Sequence, residues 1–201
     1  MAARDFDVGM YRVVKVLARG PLGKICEATD TQTKTRDALR AFAKRTGVDE
    51  EHWRPAVGRF SPELQPALGL SHPNIGAACE FWTQDDVYVI RSEHFKAKGI
   101  RQLFDAQVRV EVERTVQVAR AVCRALDFAH RKGLVHSDIQ PHNSLWAAGE
   151  LFKPINFGLD HTRPRDGSPY HTPERVRGQS EDARSEPVLS GRGALRNAHR
   201  R

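Results

Sequence analysis

Within LVHSDIQPHNSL, Asp138 stands five residues before Asn143, in a loop that carries Pro141 and has His136 two positions ahead of the carboxylate. A carboxylate placed this way can take a proton from a hydroxyl, and an amide oxygen can ligate a cation. A lone D-x-x-x-x-N string is common. The same string behind a histidine, in a proline-containing loop that follows a long helix, is not. Thirteen residues past Asn143 comes Asn156, in KPINFGLDH. Its amide oxygen is neutral and a poorer ligand for a hard dication than a carboxylate. Toward the N-terminus, LARGPLGKI places Gly20 and Gly23 in a turn. Glycines there let backbone N–H groups approach a phosphate, although a plain Gly/Pro hairpin has the same look.

The elements that must carry these residues change character along the chain. YRVVKVL (residues 11–17) is β-branched and partly alternating, as a strand should be. A second short strand is expected around Ile25–Ala28, then a polar turn in TDTQTKTRD, then a third strand in DALRAFA. Glu63–Leu70 has helical spacing interrupted by Pro62 and Pro66; an interior proline costs ~3 kcal/mol, so any helix there is kinked or short. VYVIRSEHF is another strand. Val112, Val116, Ala119, Cys123, Leu126 and Ala129 then recur at steps of three and four, one apolar face of a long helix ending near Lys132 and Gly133.

Five segments in this order, from about Tyr11 to Ser185, resemble the protein-kinase family of the bacterial serine/threonine type. LARGPLGKI is similar to its glycine-rich loop, with Ala18 where the first glycine would be. DALRAF falls where the family has V-A-I-K, with Arg40 in place of the lysine; a planar guanidinium does not replace a compact ammonium conservatively. FSPELQPALGLSHPNI sets Glu63 nine residues before His72, similar to the family's helix glutamate ahead of a His-Pro-Asn-Ile turn. LVHSDIQPHNSL resembles H-R-D-L-K-P-x-N, and NFG resembles D-F-G. SPYHTPERVRG resembles the segment ending in A-P-E, as Thr172-Pro173-Glu174.

The resemblance implies an α+β, two-lobed kinase-like fold, with a β-rich N-lobe over residues 1–93 and an incomplete helical C-lobe over 94–186. It implies ATP with Mg²⁺ as cofactors: Asp138 as catalytic base, Gln140 where a lysine would steady the phosphoryl group, and Asn143 and Asn156 toward the metal. Gly20, Gly23, Ile25, Ala38, Arg40, Glu63 and Glu93 fall at nucleotide-side positions. Ser137 replaces the arginine that would bind an activation-loop phosphate. The departures at Ala18, Arg40, Gln140 and Asn156 favour a catalytically impaired homologue. An active kinase using Asp138, and a binding module or non-functional fragment, are the alternatives.

The net charge of +7 would suit nucleic acid, but from Pro187 onward the chain carries four arginines, no acid and no aromatic. A nucleic-acid surface interleaves aromatics with its basic groups, so none is expected as partner. Residues 187–201 are expected to be a disordered basic tail. One encoding of ALRNAHRR, read one base later, gives LYEMLTG, similar to the end of the helix that kinases place there, so a frameshift is one account of it. Three widely spaced cysteines suggest neither a disulfide framework nor a zinc site. With no apolar run long enough for a membrane and no leader pattern, a cytoplasmic protein is expected. The protein substrate or partner is not legible.

Overall fold

The structure is a computed structural model. It describes residues 7–20, 23–43, 64–84, 87–100, 102, 111–147, 151–159, 170, 172–179 and 181–186. The chain forms two compact units, one of residues 1–69 with 77–94, the other of residues 70–76 with 95–201.

The first unit is built on a six-stranded antiparallel sheet. Its strands are β1 (Asp7–Val8), β2 (Tyr11–Gly20), β3 (Gly23–Asp30), β4 (Arg36–Ala43), β5 (Ala78–Gln84) and β6 (Val87–Glu93). Their order across the sheet is β1-β2-β3-β4-β6-β5. Alternation along the strands sends Val8, Tyr11, Val13, Cys26, Ala28, Leu39 and Val89 to one face, where they form a buried core. Tyr11 stacks on Trp82 there, with ring centroids 5.8 Å apart. The polar turn after β3 is closed by Asp30, whose Oδ1 accepts the backbone N–H of Gln32 (2.7 Å) and Thr33 (3.0 Å). Lys34 takes the left-handed conformation that the turn requires.

The strands expected at residues 11–17, 25–28 and 37–43 are present and longer. β5 was not anticipated, because ACEFWTQ does not alternate; a register shift between Ala78 and Glu80 breaks its period. Of the interrupted helix near Pro66, the described residues keep one 3₁₀ turn, Gln65–Ala67, with Pro66 in its first positions, where a missing N–H costs least. Glu63 lies outside the described residues.

In the second unit a three-stranded antiparallel sheet, β7 (Ala97–Gly99), β8 (Ser144–Ala147) and β9 (Phe152–Pro154), packs β9 against the long helix α1 (Val112–His130). A short helix, α2 (Pro173–Val176), follows. The His-Pro-Asn-Ile turn is bound to β9: the Asn74 side chain donates to Phe152 O (3.1 Å), and Gly76 N–H donates to Pro154 O (2.9 Å). α1 ends where Gly133 turns left-handed at φ 74°, letting Leu134 N–H reach Ala129 O.

The helix is correctly placed by its apolar period, and its buried face matches the expected one in part: Leu126 and Ala129 are buried as read. Val122, Ala125, Leu126 and Ala129 are buried, whereas Cys123, Val112 (72% exposed) and Val116 (44%) are not. At 3.6 residues per turn the exposed three lie about 100° around the helix from Val122. Steps of three and four can be threaded through either stripe, and among the described residues of α1 burial begins at Val122.

Candidate active site

The residues of the loop from His136 to Asn143 are assembled by side chains rather than by a ladder. A 3₁₀ turn, Pro141–Asn143, directly follows Gln140 and leads into β8. It buries Asn143 and brings its amide back onto Asp138. The Asp138 carboxylate, itself buried, accepts from Gln140 Nε2 on Oδ1 and from Asn143 Nδ2 on Oδ2; Asn143 Nδ2 also donates to Asp138 O at 2.9 Å. Asn156 Nδ2 donates to Asn143 Oδ1 at 2.7 Å. Asp138, Gln140, Asn143 and Asn156 therefore form one hydrogen-bonded chain, and a carboxylate and three amides give it a single formal charge. Asn156 sits at φ 74°, a left-handed conformation that asparagine tolerates better than most residues.

Behind this chain, His136 is buried and fixed at both ring nitrogens. Nε2 donates to Ile155 O (2.9 Å), so Nδ1 is the acceptor and takes Asp138 N–H (3.2 Å). Phe157 meets its ring edge-on, with centroids 4.4 Å apart. The residues on either side of Asn156 are thus tied to the loop that bears Asp138.

Ser137 has φ 63°, which costs a non-glycine residue roughly 1–3 kcal/mol and persists only where surroundings impose it. Its N–H donates to Glu186 Oε1 (2.5 Å), and its carbonyl accepts Arg175 Nη1 (2.9 Å). Glu186, fully buried, also holds His130 at the end of α1 (2.5 Å). Arg175 pairs with Glu181 Oε2 (3.2 Å), and Glu181 Oε1 accepts Thr172 Oγ1 (2.6 Å). The sequence reading missed Glu186, Arg175 and Glu181. All three lie near the end of the stretch that resembles the family, beyond the motifs that point to the site.

In the first unit the residues expected on the nucleotide side are placed by register. Ile25 pairs with Arg40 and Glu27 with Ala38 across β3 and β4, so Ile25, Ala38 and Arg40 share the sheet face opposite the Leu39 core. Glu93 pairs with Asp37 and lies on the Leu39 side. Gly20 closes the hairpin against Gly23. Gly23 has a steric reason of its own: at φ 87° an added Cβ would stand 2.2 Å from Ala41 O. On the Ala38 face Glu27 is buried among Lys15 (3.0 Å), Arg36 (2.7 Å) and His94 (3.8 Å). The hydrogen bond from Lys15, then the charges of Lys15, His94 and Arg36, hold its carboxyl below the ordinary value despite burial.

Comparison with known proteins agrees with this architecture. Residues 11–185 match the protein kinase domain family, and the chain belongs to it. The chain is similar to a probable serine/threonine-protein kinase of Streptomyces coelicolor, SCO3848, at 27% identity over 91% of this chain and 29% of that protein. It is 27% identical to PrkC of Bacillus subtilis over 85% of this chain and 27% of that one. With PknB of Mycobacterium tuberculosis the identity is 24%, over 90% and 31%. The chain thus spans about three-tenths of the length of these relatives. In fold it matches the crystal structure of the Mycobacterium tuberculosis PknI kinase domain, with a TM-score of 0.77 at 22% identity, covering 97% of this chain and 76% of that one. No helix among the described residues is long and apolar enough to cross a membrane.

Proposed function

We propose that this kinase-family domain is catalytically impaired and works by binding rather than by phosphoryl transfer. The observation that carries the reading is the Asn156–Asn143 hydrogen bond. The amide oxygen that would face Mg²⁺ already accepts one neighbouring N–H, and the neighbour that would be anionic is neutral. A hard dication prefers anionic oxygen, so a cluster whose one charge is Asp138 suits Mg²⁺ poorly. ATP would pack on the sheet face of Ile25, Ala38 and Arg40, with little help from Mg²⁺. Phosphoryl transfer relies on charges aimed at the transferred group, each worth about 2–4 kcal/mol. Arg40, Gln140 and Asn156 alter three of them.

Calorimetric titration with ATP, with and without Mg²⁺, tests this. The expected result is weak binding that Mg²⁺ does not strengthen, with phosphate transfer to basic proteins near background. Low-micromolar, Mg²⁺-dependent binding would overturn it. The competing reading is an active serine/threonine kinase; it is favoured by the buried, fully placed Asp138 and would be established by robust transfer that Asp138→Ala abolishes.

A further inference from the structure

We propose that Arg175 is a positioning residue for Asp138, held on target by Glu181. Asp138 stands where the family has its catalytic carboxylate, and the clamp does not depend on that carboxylate being used in transfer. The Ser137–Asp138 peptide plane is gripped at both ends: its carbonyl accepts Arg175 Nη1 at 2.9 Å, and its N–H donates to His136 Nδ1 at 3.2 Å. The preceding plane is gripped by Glu186 through Ser137 N–H. Between the two planes lies the left-handed Ser137.

Arg175 and Glu181 are both nearly buried, with 9% and 7% of their side chains exposed. A buried ion pair is often no better for stability than apolar residues of like size, so its usefulness is sought in what it orients. Here the orientation is specific. Thr172 Oγ1 accepts Arg175 N–H at the start of α2 and donates to Glu181 Oε1, and Glu181 Oε2 turns the guanidinium onto the Ser137 carbonyl. The segment 172–186 thereby fixes the direction of Asp138 without any phosphate, in a loop where Ser137 offers no guanidinium to bind one.

The test is amide hydrogen exchange on the full chain carrying Arg175→Met with Glu181→Leu, which removes the pair and leaves no orphaned charge. Exchange across 134–143 should rise about tenfold, the scale of one charge-assisted hydrogen bond, while residues 122–129 of α1 keep their protection. Adding Ser137→Gly should restore most of the loss, because glycine adopts φ 63° without the strain a Cβ brings. Should the double variant fail to fold, Arg175→Lys is read by the same local criterion, with a smaller rise. Unchanged exchange at 134–143, a rise shared equally by α1, or no recovery with Ser137→Gly would each overturn the assignment. None of these readouts uses activity. Transfer surviving Asp138→Ala would remove the catalytic reading and leave the clamp standing; a failed clamp would leave Asp138 untouched.

Discussion

In the first unit, Ile25, Ala38 and Arg40 come to one sheet face because the β3–β4 register puts them there. In the second, Asp138, Gln140, Asn143 and Asn156 meet because their own side chains bond one another, and because Glu186 and Arg175 hold the backbone beneath them. A ladder of backbone hydrogen bonds is indifferent to most side chains, so the strand site can change its chemistry without moving. The loop site cannot, since its functional groups are also its fasteners. The difference predicts where substitutions stay local and where they spread.

The largest expected contrast follows from Glu186. Glu186→Ala leaves the buried Ser137 N–H and the His130 ring without their shared acceptor, and should cost the second unit about 3 kcal/mol. Arg40→Lys in the first unit, on a strand held by its neighbours on both sides, should change stability by no more than about 0.5 kcal/mol. Hydrogen exchange read unit by unit under increasing denaturant separates the two. Equal costs would mean that the strand site too is held by its side chains.

Acid should also tell the units apart. Glu27 has its pKa held below the ordinary 4.5, chiefly by the hydrogen bond from Lys15. A depressed carboxylate contributes stability that is present above 4.5 and is lost as pH falls through the folded value. His72, stacked on Phe128 at 5.1 Å, has its pKa lowered from 6.5 by burial first, then by the charges of Lys153 and Arg124. Its unfolded form therefore takes up the proton first, and the second unit loses stability as pH drops below 6.5. Protection should fall in the second unit before the first. His72→Gln should remove the earlier step, and Glu27→Gln should shrink the later one, leaving the share of Asp30, whose carboxyl is also held low by the backbone N–H groups of Thr33 and Gln32; a simultaneous loss in both units would contradict the assignment.

What could be read from sequence divides along the same line. The strands of YRVVKVL and DALRAFA, and the positions of Asp138, Asn143 and Asn156, were legible because alternation and motif spacing are local properties. Glu186, Arg175 and Glu181 were not, because the first two reach Ser137 from 49 and 38 residues away, and Glu181 acts on it only through Arg175, by side-chain contacts that no local period records. Gly23 was legible as a loop glycine but not for its reason, since the nearest atom to its missing Cβ is on the partner strand β4. The amide chain was half legible: the residue types could be named, and their donation to one another could not.

The same contrast recurs within α1, where a single helix contains both outcomes, and Val116 there carries the smallest expected effect. Its C-terminal half buries Ala125 and Leu126 to 0% and 3% exposure, whereas its N-terminal half leaves Val112 and Val116 at 72% and 44%. Deleting buried methyls removes both transfer energy and packing, so Leu126→Ala should cost about 2–5 kcal/mol. Val116 already faces water, with Glu113, Gln117 and Arg120 around it in a shallow hollow of about 420 Å³. Val116→Ser there removes little burial and improves helix propensity slightly, so it should shift stability by no more than about 0.5 kcal/mol in either direction. Denaturant melts of the two variants decide it. A cost for Val116→Ser approaching that of Leu126→Ala would show that the N-terminal stripe is covered in solution, and that the six-residue apolar face read from the sequence describes the helix better than its exposed valines do.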